Sequence, residues 1–110
     1  MGGTNDRRYN LSLIIQNSIS MGKPMIGISF QYRISGWYFL GGKKALARGA
    51  TNLGFRDQRL ALHWIQENMA AFGGDPSKVT IWGESAGAQS IGAHFLAYNG
   101  IPSLSCRSNL

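Results

Sequence analysis

The segment VTIWGESAGAQS, residues 79–90, constrains the fold of this chain more than any other feature. Its first four residues are β-branched or aromatic, which indicates a short buried strand over residues 79–82. Gly83 and Gly87 lie two positions on either side of Ser85, and small residues follow that favour a helix lying close to a sheet. A strand followed at once by a tight turn and a helix lifts a serine hydroxyl clear of the sheet.

The Gly-x-Ser-x-Gly pattern alone is a weak signal, and its strand and helix context carries the interpretation. The alternative is a glycine-rich turn whose serine only caps the following helix. We expect Gly83 and Gly87 to relieve the crowding of a strained turn, which costs about 1 to 3 kcal/mol. We predict that Ser85 is a nucleophile and that the Ala86 N–H, at the start of the helix, stabilises a developing oxyanion.

The rest of the chain predicts alternating helices and strands. Apolar residues at helical spacing predict helices over residues 6–20 and 55–72. The segment MIGISFQY, residues 25–32, predicts a buried strand, and the glycines of residues 34–51 predict a loop. With a third helix after the serine turn, the order is α-β-α-β-α. Two strands joined by a helical crossover imply a parallel βαβ core with flanking helices, and therefore an α/β fold.

Length and composition allow one domain or part of one. The chain has 110 residues, of which 44% are hydrophobic, enough for one modest core. We assign residues 1–99 to this domain and expect the aperiodic residues 100–110 to form a poorly ordered tail. Cys106 is the only cysteine, so no internal disulfide can form.

Charge and hydropathy argue against some partners. The net charge of +6 comes from 11 Lys and Arg residues against five acids. The basic residues are scattered singly or in pairs, and this distribution does not favour a nucleic-acid partner. The first ten residues are polar and lack the apolar core of a secretory signal, and no apolar run reaches the length of a membrane span. We therefore predict neither a signal peptide nor a transmembrane segment on this chain, and leave its compartment open.

Residues 52–90, NLGFRDQRLALHWIQENMAAFGGDPSKVTIWGESAGAQS, resemble the type-B carboxylesterase and lipase family, which includes fungal lipases and has the α/β-hydrolase fold. The resemblance runs over about residues 4–98 and includes QYRISGWYFL. It implies a serine esterase or lipase that forms an acyl-enzyme on Ser85, with the Ala86 N–H as one oxyanion donor. It implies a small-molecule or lipid ester as substrate and no metal or organic cofactor.

The same resemblance implies roles for further residues. Glu84 would tune the electrostatics beside the catalytic histidine, the alternative being a buried, hydrogen-bonded structural acid. Arg33 would pair with Asp57 and link the end of the predicted strand to the crossover helix. Two residues depart from the family pattern: Tyr38 stands where glycine is usual, and Gln31 where asparagine is usual.

The remainder of a catalytic triad is absent from these 110 residues. In this fold the triad follows the chain order Ser, then Asp or Glu, then His, but no acid follows Ser85. The only later histidine, His94, is nine positions further on, roughly 13 Å away along a helix. His63 precedes the serine in the chain, and we interpret it as a polar or half-buried helix residue.

We therefore expect a fragment around the nucleophile turn, incomplete and inactive as an isolated chain. A non-catalytic interaction module with the esterase fold and a truncated gene product remain as alternatives. The resemblance also implies that full-length relatives are often secreted.

Overall fold

A computed structural model describes residues 3–97 and the backbone of residues 106–108. The chain divides into two compact units, Met1–Gln31 and Tyr32–Leu110.

From residue 3 onward, the first unit contains one α-helix, which is shorter than the helix that the sequence predicts. A 3₁₀ turn at Arg7–Tyr9 precedes helix α1, Ser12–Ser20. The break falls at Asn10, whose side-chain oxygen accepts a hydrogen bond from the backbone N–H of Ser12 at 2.8 Å. Such a side-chain bond competes with the helical backbone pattern and favours a new helix start. The prediction of one continuous helix over residues 6–20 is therefore wrong at its first turn.

The strand predicted over residues 25–32 does not form. No described residue pairs with this segment in a sheet, and it has no regular secondary structure. A strand is held by hydrogen bonds to a neighbouring strand, so an apolar pattern cannot make one without that neighbour. The apolar side chains that suggested burial remain partly exposed: Met25, Ile26, Ile28 and Phe30.

The second unit is built around two helices. Its helical elements are a 3₁₀ turn at Gly36–Tyr38, α2 at Lys43–Ala47, α3 at Leu53–Asn68, 3₁₀ turns at Met69–Phe72 and Pro76–Lys78, and α4 at Ala86–Leu96. The helix predicted over residues 55–72 is confirmed up to Asn68, where the chain continues as a 3₁₀ turn. The loop predicted over residues 34–51 contains a short helix. The buried apolar side chains are Leu62, Ile65, Met69 and Ile91. The core therefore lies mainly between α3 and α4.

The described residues of this unit also form two short strands. Strand β1, Val79–Ile81, pairs in parallel with β2, Cys106–Ser108, and α4 lies between them in sequence. The expectation of a poorly ordered tail falls largely on residues 100–105 and 109–110, which lie outside the described residues. Within the described ranges, even the 16-residue α3 falls short of a membrane-spanning helix.

Candidate active site

Ser85 occupies the turn between β1 and α4 in an unusual backbone conformation. Its φ and ψ angles are 53° and −116°, a region that costs a non-glycine residue about 1 to 3 kcal/mol. The residue is exposed, and its side chain makes no capping hydrogen bond within the described chain. The simple explanation of a helix-capping serine therefore does not account for this turn.

The two flanking glycines have different surroundings. A Cβ on Gly83 would lie 2.6 Å from the carbonyl carbon of Gly87 and 2.9 Å from the backbone nitrogen of Ala88. These are backbone atoms, which cannot rotate away as a side chain would. A Cβ on Gly87 would meet no heavy atom within 4 Å among the described residues. The crowding predicted at both positions is therefore present at Gly83 and wrong at Gly87, which faces open space.

The first turn of α4 leaves a backbone donor beside the serine. The Gly87 N–H donates to the Glu84 carbonyl at 2.9 Å, and the Gln89 N–H donates to the Ser85 carbonyl at 3.1 Å. The N–H of Ala86, the first residue of α4, has no hydrogen-bond acceptor among the described residues, as is usual at the start of a helix. A donor in this position can stabilise negative charge that develops next to the serine oxygen.

Glu84 is exposed. Its carboxylate makes no hydrogen bond or ion pair with the residues that the structure describes. Within this chain Glu84 is therefore not a buried, hydrogen-bonded acid, and its role in the complete protein stays a prediction.

A chain of hydrogen bonds beneath the turn connects α3 to α4. Ser90 Oγ donates to the Ala86 carbonyl at 2.8 Å and accepts from Gln58 Nε2 at 3.3 Å. Gln58 Oε1 lies 2.9 Å from His94 Nε2. Since the amide oxygen of Gln58 only accepts, the His94 Nε2 carries the proton in this arrangement. This series of hydrogen bonds ends at the backbone carbonyl of Ala86.

The sequence-based interpretation missed this set of buried polar contacts. Gln58 and Ser90 are both buried, with exposed fractions of 5% and 8%. The available signal was the spacing of α3, since Gln58 falls four residues before Leu62 and seven before Ile65 on the same apolar face. A polar side chain on a buried face needs a partner, and Ser90 supplies it.

His94 is a structural member of these contacts. Burial lowers the pKa of the His94 imidazole, and the positive charge of Arg59 lowers it further. The ring also meets Phe55 edge to face, with 5.8 Å between centroids. Its Nε2 is engaged by Gln58, and its place in the third turn of α4 separates it from Ser85. His63 is half-buried on α3.

Arg33 and Asp57 form a two-pronged ion pair. Arg33 Nη2 and Nε donate to the Asp57 carboxylate at 2.6 and 2.7 Å, and the Arg33 backbone N–H donates at 3.0 Å. The side-chain hydrogen bond from Arg33, and then the backbone one, lower the pKa of Asp57 to about 2. The Arg33 guanidinium also lies 5.6 Å from the centre of the Tyr38 ring, a cation–π distance. This contact gives the unusual Tyr38 a packing role.

A cavity of about 270 Å³ lies beside the later turns of α4. Phe55, Arg56, Arg59 and His94 contribute to its lining, and Ser85 does not. No three His, Cys, Asp or Glu side chains cluster as metal ligands in the ranges described.

A strand, a strained exposed serine and a helix, in this order, are typical of the nucleophile segment of an α/β-hydrolase. Comparison with known proteins identifies the particular family: the chain belongs to the carboxylesterase family, which it matches over residues 2–100. The resemblance drawn from residues 52–90 is thereby confirmed, and the α/β-hydrolase fold follows from the family.

Several fungal lipases are similar to this chain. It is 52% identical over 100 residues to secreted lipase 1 of Botryotinia fuckeliana, a match covering 91% of the chain and 17% of the lipase. It is 50% identical over 95 residues to lipase 4 of Diutina rugosa (81% and 17%) and 49% identical over 86 residues to lipase 2 of Geotrichum candidum (78% and 15%). The chain thus spans about a sixth of the length of these relatives and belongs to a lineage of carboxylic-ester hydrolases.

Proposed function

We propose that this chain carries the nucleophile of a carboxylic-ester hydrolase. The observation that supports this most directly is the backbone of Ser85, at φ 53° and ψ −116°, with an exposed side chain and the Ala86 N–H beside it. In the proposed reaction Ser85 Oγ attacks the ester carbonyl carbon and loses its proton to a base. The bond to the alcohol oxygen then breaks, the alcohol leaves with a proton, and water hydrolyses the acyl-enzyme. The Ala86 N–H donates to the oxyanion.

The base and its supporting acid come, in this proposal, from sequence beyond these 110 residues. The reason is the chain order of the triad, since no Asp or Glu follows Ser85 here. His94 is already engaged by Gln58. Glu84, exposed next to the nucleophile, is assigned the electrostatic support of the catalytic histidine.

The finer architecture belongs to the same proposal. In the complete hydrolase, residues 25–32 would gain neighbouring strands and join β1 in a parallel βαβ core, within a domain that includes residues 1–99. The partly exposed apolar side chains of residues 25–30 support this, because a sheet would cover them. In this domain Gly83 at the turn and the Arg33–Asp57 pair have structural roles, whereas among the described residues Gly87 has room for a Cβ.

The substrate class is a small-molecule or lipid ester. Support comes from the relatives, which are named lipases, and three of them are named as secreted. We propose that the full-length form of this protein likewise enters the secretory route.

The test is a chimaera in which residues 2–100 replace the matching segment of the Botryotinia lipase. We expect it to hydrolyse p-nitrophenyl esters, and Ser85→Ala to lower kcat/KM by about 10⁴-fold or more, as loss of a nucleophile does in other serine hydrolases. Ser20→Ala, an exposed serine of α1, is the matched control and should keep the activity. A folded Ser85→Ala chimaera with undiminished turnover would overturn the proposal.

The isolated chain provides a second measurement. Because it lacks a base, its reaction with a fluorophosphonate probe should equal that of its Ser85→Ala variant. Labelling that disappears in the variant would show that a base reaches Ser85 within these 110 residues, contrary to the proposal.

A further inference from the structure

We propose that Asn10 is an acceptor of N-linked glycosylation, with the oligosaccharide attached to its side-chain amide nitrogen. Asn10-Leu11-Ser12 is an Asn-X-Ser tripeptide whose middle residue is not proline, the pattern required for this modification. No other asparagine among the 110 residues is followed two positions later by serine or threonine. Any N-linked glycan on this chain would therefore be on Asn10.

The local structure leaves the acceptor nitrogen available. Asn10 and Ser12 are both exposed. The Asn10 side-chain oxygen accepts the Ser12 backbone N–H at 2.8 Å, while Nδ2 donates no hydrogen bond to any described residue. The tripeptide is thus held in a turn that engages the carbonyl end of the amide and leaves its nitrogen unengaged.

The position also tolerates a bulky group. Asn10 lies between the 3₁₀ turn and α1, so its side chain can carry an oligosaccharide without displacing a helical contact. Nearby α1 side chains include exposed apolar groups, with Leu13 77% exposed. A glycan at this position would add polar surface beside them, since such glycans are bulky and solubilising.

The proposed reaction is a glycosyl transfer from a lipid-linked oligosaccharide pyrophosphate. A bond forms between the sugar C1 and Asn10 Nδ2, the bond from C1 to the pyrophosphate oxygen breaks, and one amide proton is released. The physiological relevance of the site depends on the secretory route proposed above. The site itself is independent of any role of Ser85.

The experiment directs the chain through the secretory pathway of yeast with a supplied, cleavable signal sequence. The chain also carries a C-terminal tag with one Asn-Ala-Thr acceptor. Only molecules glycosylated on the tag are scored, because the tag glycan shows that they entered the lumen. Treatment with peptide N-glycosidase and gel mobility then count the glycans on each molecule, and mass spectrometry detects conversion of Asn10 to aspartate.

We expect two glycans on the unaltered chain, and one on Asn10→Gln and on Ser12→Ala. Ser12→Thr, which preserves the acceptor pattern, and Asn17→Gln, an exposed asparagine outside such a pattern, should each retain two. A chain that carries the tag glycan but only that one would overturn the proposal. Since the signal sequence is supplied, this outcome would count against the acceptor site and not against the secretory route or the hydrolase proposal.

Discussion

The turn that carries Ser85 and the helix pair beneath it are held in different ways. At the turn, backbone conformation and a missing Cβ at Gly83 define the geometry, and the serine itself is exposed. Between α3 and α4, buried side chains make the connection, through Gln58 and Ser90. The strained backbone of the turn must be held by its surroundings. The hydrogen bond from Ser90 to the Ala86 carbonyl is where the two regions meet.

The largest loss of stability should come from adding a Cβ at Gly83 of the turn. In the chimaera, Gly83→Ala would push a Cβ into the Gly87 backbone, and we expect about 3 kcal/mol less stability to denaturant, the upper end of the usual overpacking range. Gly87→Ala is the matched control. Among the described residues a Cβ at Gly87 meets no heavy atom within 4 Å, and the position is helical, so the alanine should raise the free energy of unfolding by up to about 1 kcal/mol. Equal losses at the two positions would show that the turn does not depend on this contact.

Removing the buried amide tests the region below the turn. Gln58→Leu leaves Ser90 and His94 without their partner, and we expect a loss of about 2 kcal/mol in the free energy of unfolding. Gln66→Leu, on the same helix, is the control: Gln66 Nε2 is buried and has no partner among the described residues, so its removal should be neutral or stabilising. A neutral Gln58→Leu would mean that the hydrogen bonds to Ser90 and His94 add nothing to stability.

Relief of strain at Ser85 should have a smaller effect of opposite sign. Ser85→Gly is expected to raise the free energy of unfolding by about 1 kcal/mol, because glycine tolerates a positive φ at little cost. Ser85→Ala keeps a Cβ and should leave stability nearly unchanged, while both variants lose the nucleophile. Equal denaturation midpoints for the two variants would contradict the presence of stored strain at this residue.

The smallest effect is expected at the exposed Arg33–Asp57 pair, because solvent screens it. The pKa of Asp57 is lowered from 3.8 to about 2, so the unfolded chain binds more protons in this interval. The stabilisation is therefore present above about pH 4 and is lost as the pH falls through about 2. Asp57→Asn should remove this contribution, whereas Glu67→Gln, at an exposed acid of the same helix with no ion pair among the described residues, should leave it in place. Identical acid unfolding of the Asp57 variant and the parent would exclude a role for the pair.

The family and the two longest helices, α3 and α4, were predictable from the sequence, whereas α2 and the partners of buried groups were not. Periodicity placed α3 and α4 because an α-helix satisfies its backbone hydrogen bonds within a local segment. The same reasoning failed over residues 25–32, where a strand requires a neighbour. It also missed the break at Asn10, where a side chain competes with the backbone for the Ser12 N–H.

For the candidate site, the sequence by itself determined the order of strand, serine turn and helix, the family to which the chain belongs, and the absence of an acid after Ser85. These follow from local patterns along the chain. Only the tertiary structure decided that Gly83 and not Gly87 is sterically required, that Tyr38 meets Arg33, and that Gln58 reaches Ser90 and His94. Such contacts join residues up to 36 positions apart, and their geometry is set by how the elements pack, which spacing along one helix cannot reveal.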